Sequence, residues 1–145
     1  MMRMGACVLA VAGLLAGCAP VPLQRAQVDR LNADASLAEV QAALGGASEL
    51  RAFDFAAGER SYRVREYRLQ TGATQQTSVV CTPACYPIVV TVPVTVDYVL
   101  VHEQGSQRLL AWGSLEELSK SSDERVSTVM PALKMARAKQ LEAGK

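Results

Sequence analysis

The chain has 145 residues, with 15 Lys and Arg against 14 Asp and Glu, one His and four Cys. This length is enough for one domain with a modest core. A net charge of +1 gives no general attraction to nucleic acid, so no nucleic-acid partner is expected.

The amino terminus has the pattern of a bacterial lipoprotein signal. Arg3 precedes an uncharged run of apolar or small residues, Gly5–Gly17, which is shorter than the about 20 apolar residues that a helix needs to cross a membrane. The run ends Leu15-Ala16-Gly17-Cys18, which resembles a lipobox, where a free thiol takes a diacylglycerol and small residues admit the signal peptidase. We therefore predict that the signal peptide, residues 1–17, is removed and that Cys18 is lipidated. The alternative is an uncleaved apolar helix that contains a cysteine by chance.

The residue after the lipidated cysteine predicts where the protein is held. It is Ala19, whereas an Asp there resembles an inner-membrane retention signal. We expect the mature protein at the periplasmic face of the outer membrane, where a second acyl chain, such as palmitate, makes the lipid anchor firm. Residues 18–25 are expected to be the lipidated Cys and a tether that Pro20 and Pro22 keep stiff and non-helical.

A short helix is predicted over residues 37–44. Ser36-Leu37-Ala38-Glu39 is a capping box, in which the Ser side chain and the Glu side chain satisfy each other's backbone N–H groups. Leu37, Val40 and Leu44 fall on one helical face, and Gly45-Gly46 ends the helix. A weaker helical stretch is expected around 26–31.

From Leu50 the apolar period changes to two, which predicts strands. Phe53 and Phe55 share one parity, and Gly58 marks a turn. In the next strand Tyr62 and Val64 have one parity, whereas Tyr67 and Leu69 have the other, so we expect a β-bulge near Arg65-Glu66. Gly72 is a predicted kink.

A long alternating run follows and is the strongest pattern in the chain. It predicts a strand with one apolar stripe, which consists of Tyr86, Ile88, Val90, Val92, Val94, Val96, Tyr98 and Leu100. Pro87 and Pro93 on the other parity cannot donate to a ladder, so their side should be a sheet edge. With the β-prone run 74–80, this strand predicts a β-hairpin over residues 74–96, which we call the arm. Either the core or a partner protein must cover the stripe.

The final elements complete an α+β fold class. A last strand is expected at 108–112, and Ser114 begins a second capping box and a short helix to about Ser119. The predicted architecture is a short N-terminal helix or helix pair packed on an antiparallel meander of about four strands, with the arm and a C-terminal helix. The small domain spans 26–120. Residues 121–145 are expected to be a partly helical or disordered tail, with Pro131 in a first helical turn, or else a partner-binding or membrane-surface helix.

The residues that could carry chemistry favour a structural interpretation. Cys81 and Cys85 would meet an oxidising compartment after export, which predicts a disulfide; a redox-active pair or a metal site is the alternative. His102 is expected to be structural or exposed. Arg60, Arg63, Arg65 and Arg68 form either a solvated sheet face or a contact for acidic lipids or an acidic partner. We expect no catalytic residues, no cofactor, no metal and no small-molecule substrate, and hence no enzyme.

The order of elements in an exported lipoprotein resembles the SmpA/OmlA family, the BamE-like outer-membrane lipoproteins. The resemblance covers about residues 31–70 and 94–112, and it rests on Ser36-Leu37-Ala38-Glu39-Val40, Leu44-Gly45, Phe53 or Phe55, Tyr62 and Leu110-Ala111-Trp112. The sequence departs from the family in having Gly46-Ala47-Ser48 where a proline usually follows, in its reduced aromatic pair and in its extra arm. The resemblance implies a two-layer α+β fold and transfers no binding residues.

Two functions are therefore expected from the sequence. The first is a non-enzymatic scaffold or accessory in envelope or outer-membrane protein assembly, held to the membrane by its lipid and bound to an envelope protein partner. The alternative is a periplasmic binding or inhibitor module that contacts a soluble enzyme through its sheet face.

Overall fold

The computed structural model describes residues 20–145. The predicted signal peptide and the predicted lipidation site, Cys18, lie outside these residues. No helix in the described part of the chain is both long and apolar enough to cross a bilayer.

The predicted α+β fold is confirmed. Four strands form one antiparallel sheet in the order β1-β2-β3-β4, with helices before and after it. The elements are α1 (Arg25–Val28), α2 (Leu37–Leu44), β1 (Arg51–Ala57), β2 (Arg60–Cys81), β3 (Cys85–Glu103), β4 (Arg108–Gly113), α3 (Leu115–Ser119) and α4 (Glu124–Ala143).

Both capping boxes form as the sequence predicts. In α2 the backbone N–H of Ser36 donates to the Glu39 side chain over 2.7 Å, and the backbone N–H of Glu39 donates to the Ser36 hydroxyl over 3.3 Å. Ser114 and Glu117 repeat the arrangement at the start of α3. Gly45 ends α2 with a φ of 57°, a left-handed conformation that favours glycine.

The β-bulge expected near Arg65-Glu66 is wrong. The pairing of β2 with β3 runs without interruption from Tyr62 to Gln70, and the irregularity lies between Gln70 and Gly72, where the kink was predicted. The change of parity has another cause, which is that the base of β2 is buried on both of its faces.

Helices cover both faces of the sheet, so the two-layer fold that the resemblance implies is also wrong. Two separate buried clusters lie on opposite sides of β2 and β3. One face packs against α3 and α4 through Phe53, Phe55, Tyr62, Val64, Val99, Val101, Ala111, Leu118, Val126, Val129, Met130 and Leu133. The other packs against the N-terminal segment, α1 and α2 through Leu23, Val28, Leu31, Ala35, Val40, Leu44, Tyr67, Leu69, Tyr98, Leu100 and Leu109.

The segment 121–145 differs from the expected tail. Asp123 caps α4 by accepting a hydrogen bond from the backbone N–H of Arg125 over 2.9 Å. The first half of the helix is part of the core, because Val126, Val129, Met130 and Leu133 are buried against the sheet. Pro131 lies inside this helix and not in its first turn.

The chain before α1 is also part of the fold. Leu23 is fully buried, and its backbone N–H donates to the carbonyl of Arg68 over 2.7 Å while its carbonyl accepts from Gln70 over 2.8 Å. The predicted tether therefore docks onto β2 from Leu23 onward, and this bridge is parallel to β2.

Candidate functional site

The arm projects from the sheet without a neighbouring strand. β1 pairs with β2 only as far as Glu66, and β4 pairs with β3 only from Val99. From Thr71 to Cys81 the outer half of β2 pairs with β3 alone. Among residues 20–145, no other strand lies along either outer edge of the arm.

The core does not cover the apolar stripe. Burial on β3 ends at Tyr98, while Ile88, Val90 and Val92 are half-buried by their neighbours within the hairpin. The rest of the stripe within the arm is exposed, with Tyr86 at 50%. The sequence left open whether the core or a partner protein covers the stripe. The described part of the core does not cover the stripe within the arm.

The opposite face of the arm also exposes apolar side chains near its tip. Val79 is 67% exposed and Val89 is 66% exposed. The chain contains no Asp, Glu, Lys, Arg or His between Arg68 and Asp97. A long exposed segment that is apolar and uncharged is typical of a contact surface, and this charge-free run was a signal available in the sequence.

A disulfide closes the tip of the arm. The sulfurs of Cys81 and Cys85 are 2.03 Å apart, which agrees with the predicted disulfide. The two cysteines are cross-strand partners at the end of the hairpin, so the bond staples the turn 82–84. Within residues 20–145, no cluster of three or more His, Cys, Asp or Glu could hold a metal ion.

A buried ion-pair network holds the base of the arm against α4. Glu66 on β2 is fully buried, and its Oε1 accepts from Arg137 Nε over 2.6 Å. The same guanidinium donates to Asp97 on β3 over 2.9 Å. Arg51 Nε lies 2.9 Å from the other Glu66 oxygen but does not point at it, so this contact is an ion pair without a hydrogen bond.

This network escaped the sequence analysis because its members are far apart in the chain. It joins β1, β2, β3 and α4 near the end of the part of the sheet that α4 covers. The arm therefore leaves the core from a base fixed by charge-assisted hydrogen bonds.

Neighbouring acidic side chains neutralise much of the arginine cluster. Arg63 lies 3.6 Å from Asp54 and Arg65 lies 3.6 Å from Glu49. Arg60 lies 3.6 Å from Glu103. These exposed or half-exposed pairs contribute little stability, but they leave the cluster without a uniform positive field.

His102 is buried near the α2 end of the sheet. It is 4% exposed, and neither ring nitrogen has a hydrogen-bond partner among the described residues. Burial, with the positive charge of Arg65 as a smaller cause, lowers the pKa of His102 to about 4. The ring is therefore neutral at pH 7 and packs as an apolar side chain.

A surface groove lies beside the start of α4 and has a volume of about 700 Å³. Its charged side chains face one another, for example Arg125 at 3.7 Å from Asp34. Among the described residues that line it there is no His or Cys.

Comparison with protein-family models, with curated proteins and with solved structures found no match for this chain.

Proposed function

We propose that this chain is a lipid-anchored outer-membrane lipoprotein that acts as a non-enzymatic scaffold or accessory in envelope or outer-membrane protein assembly. The lipobox-like Leu15-Ala16-Gly17-Cys18 supports the lipid anchor, and the SmpA/OmlA-like order of elements supports the role in assembly. The observation that carries the proposal is the arm, an uncharged and apolar projection that the described core leaves uncovered.

The position of Leu23 separates the anchor from the contact surface. Because residues 20–23 run parallel to β2 at Leu69, the chain toward Cys18 leads away from the tip of the arm. Cys81 lies twelve positions after Leu69, which is about 40 Å of extended strand. A lipid at Cys18 would hold the base near the membrane and leave the tip free to reach a protein partner in the periplasm.

The same geometry weighs against the inhibitor alternative. An inhibitor of the expected kind would contact an enzyme through its sheet face, but helices cover both faces of the sheet below Asp97. Only the arm presents open sheet faces within residues 20–145. The arm is therefore the surface to test for either kind of protein partner.

The first experiment tests the anchor. Cys18→Ser should abolish labelling by palmitate and release the protein from envelope fractions, because only this thiol follows the small residues of the lipobox. Cys7→Ser, in the same N-terminal segment, should leave both unchanged. Equal labelling of the two variants would reject lipidation at Cys18.

The second experiment tests the arm as the contact surface. Envelope proteins are captured by in-cell cross-linking to the lipidated chain and to two variants of β3. Val94→Asp places a charge on the apolar stripe and should lose the outer-membrane assembly proteins, whereas Thr91→Asp on the opposite face should retain them. Both side chains lie outside the core, so neither variant should lower the melting temperature. Capture of no specific protein, or equal capture by all three chains, would reject the scaffold role of the arm.

A further inference from the structure

The two outer edges of the arm differ in their capacity to accept another strand. The β3 edge contains Pro87 and Pro93, which lack a backbone N–H and block strand addition. The β2 edge, Thr71–Cys81, contains no proline and no charged residue. Each arm therefore has one edge that can pair with a further strand.

The prolines also identify the backbone groups that point outward. Pro87 pairs with Val79, and Pro93 pairs with Ala73. A proline inside a hairpin costs no ladder hydrogen bond only where its nitrogen faces away from the partner strand. In an antiparallel pair, residues that face each other at such a position both direct their N–H and C=O groups outward. With period two, Ala73, Gln75, Thr77 and Val79 present the free groups of the β2 edge.

The β2 edge is chemically complementary to itself about Gln76. Antiparallel pairing of two identical edges centred there places Gln75 opposite Thr77 and Ala73 opposite Val79, and these rungs carry the outward groups. On the other face it places Thr74 opposite Ser78. Polar residues thus meet polar residues, small or apolar ones meet each other, and no like charges are opposed.

From this complementarity we infer that two copies of the chain pair through the β2 edges of their arms. They form a four-stranded antiparallel sheet in the order β3-β2-β2-β3, with a two-fold axis at Gln76. Because the proline-containing β3 edges are outermost, the assembly closes at two copies and does not grow into a fibre.

The pairing goes beyond the proposed function, since it requires neither the lipid nor another protein. A two-fold axis normal to the sheet keeps equivalent faces on one side. The apolar stripes of the two arms therefore lie on the same face of the paired sheet, one on each outer β3 strand. Thr74, Gln76 and Ser78 of the two β2 strands lie between them on that face. The dimer would offer a scaffold partner a four-stranded platform in place of a two-stranded ribbon.

Two proline variants on the same rung test the pairing. Gln75 and Thr91 are cross-strand partners, and both direct their backbone nitrogen outward, but on opposite edges of the arm. We expect Gln75→Pro to raise the dimer dissociation constant at least about tenfold, because two-fold symmetry removes two inter-arm hydrogen bonds at once. Thr91→Pro should leave the dimer intact. The measurement is sedimentation equilibrium of the full chain in detergent.

A cross-linking pair tests the register. Gln76→Cys meets its own copy at the two-fold axis, where opposed Cα atoms lie about 4.5–5.5 Å apart, within the range of a disulfide. It should form a covalent dimer under mild oxidation in detergent and in cells. Thr91→Cys is as exposed but lies on β3, about 14 Å from its copy across the paired sheet, and should not.

Several results would overturn the inference. A wild-type chain that is still monomeric at about 100 μM would show that the β2 edge does not pair. Equal weakening of the dimer by Gln75→Pro and Thr91→Pro would show the same. Equal cross-linking of the two cysteine variants would show random encounter. Retention of the arm itself is checked by the native Cys81–Cys85 disulfide and by an unchanged melting temperature in each variant.

Discussion

Removal of the Arg137 guanidinium should destabilise the fold through the charge that it leaves behind on Glu66. Arg137→Met retains most of the aliphatic stem but removes the 2.6 Å hydrogen bond to Glu66 and the 2.9 Å bond to Asp97. The Glu66 carboxylate is fully buried, so it cannot recover these bonds from water.

The expected magnitude follows from what remains around Glu66. Breaking a fully buried pair by removing one partner costs about 3–5 kcal/mol. Here Arg51 stays 2.9 Å from the second carboxylate oxygen, and the Arg137 side chain is 16% exposed. We therefore expect Arg137→Met to lower the free energy of unfolding by about 2–3 kcal/mol. Asp97 is half-exposed, so Asp97→Asn should cost less than about 1 kcal/mol.

The double variant Glu66→Met with Arg137→Met separates lost charge pairing from lost packing. With both buried charges replaced by apolar side chains, stability should return to within about 1 kcal/mol of the wild type. Urea unfolding is followed through the fluorescence of Trp112, the single tryptophan. It gives the free energies of unfolding of the wild type, Arg137→Met, Asp97→Asn and the double variant. Arg137→Met within 0.5 kcal/mol of the wild type, a difference typical of surface sites, would refute this account of the network.

Three further predictions address the buried histidine, the C-terminal helix and the disulfide. Burial lowers the pKa of His102 from 6.5 to about 4, so the unfolded state binds more protons than the folded state between these pH values. The free energy of unfolding should therefore fall as the pH drops from about 6.5 to 4, by up to about 3 kcal/mol. His102→Leu should reduce that fall, measured by urea unfolding at pH 7, 5 and 4. Leu133→Ala should cost about 2–5 kcal/mol in the same assay, since Leu133 is fully buried, whereas the exposed Met135→Ala should cost under about 0.5 kcal/mol; equal small effects would contradict a packed α4. Replacing Cys81 and Cys85 together by Ser should speed amide exchange in the arm, while global stability stays nearly unchanged, because the disulfide closes a turn outside the core; exchange that spreads to β1 would contradict this.

Local signals in the sequence predicted much of the fold. The capping boxes at Ser36 and Ser114 fix where α2 and α3 begin, because each is completed by a Glu three residues later. The parity of β3 and its two prolines predicted a long strand with a free edge, since both depend only on neighbouring residues.

The misjudged regions are those where two layers meet one element. A strand with one buried face alternates. β2 is buried on both faces at its base, so Val64 and Tyr67, which have opposite parity, are both buried. The change of parity that results has the same sequence pattern as a bulge. In α4, Val126, Val129, Met130 and Leu133 have the i, i+3, i+4, i+7 spacing of a buried helical face. The prediction of a helix with Pro131 in its first turn leaves Val126 and Val129 outside the helix.

The charged network could not be predicted from any local pattern. Glu66 and Arg137 are 71 residues apart, and nothing near either residue indicates the other. Only the tertiary fold brings α4 to the base of the arm. The arm itself could be placed by sequence, but its exposure could not, because an apolar stripe has the same pattern whether the core or a partner covers it.

The last pair of charged residues across the sheet lies close to the boundary between its helix-covered part and the exposed arm. Arg68 and Asp97 are cross-strand partners, and below them both faces of the sheet are covered by helices. Beyond Leu69, which is still buried against the N-terminal segment, neither face is covered, and the chain contains no charge until it returns to Asp97. Charged side chains and prolines are the usual protection of a free strand edge against association. The arm has prolines on its β3 edge and no such protection on its β2 edge, so an unoccupied β2 edge would promote uncontrolled aggregation. Pairing with the β2 edge of a second arm would protect this edge with backbone groups that the chain already supplies.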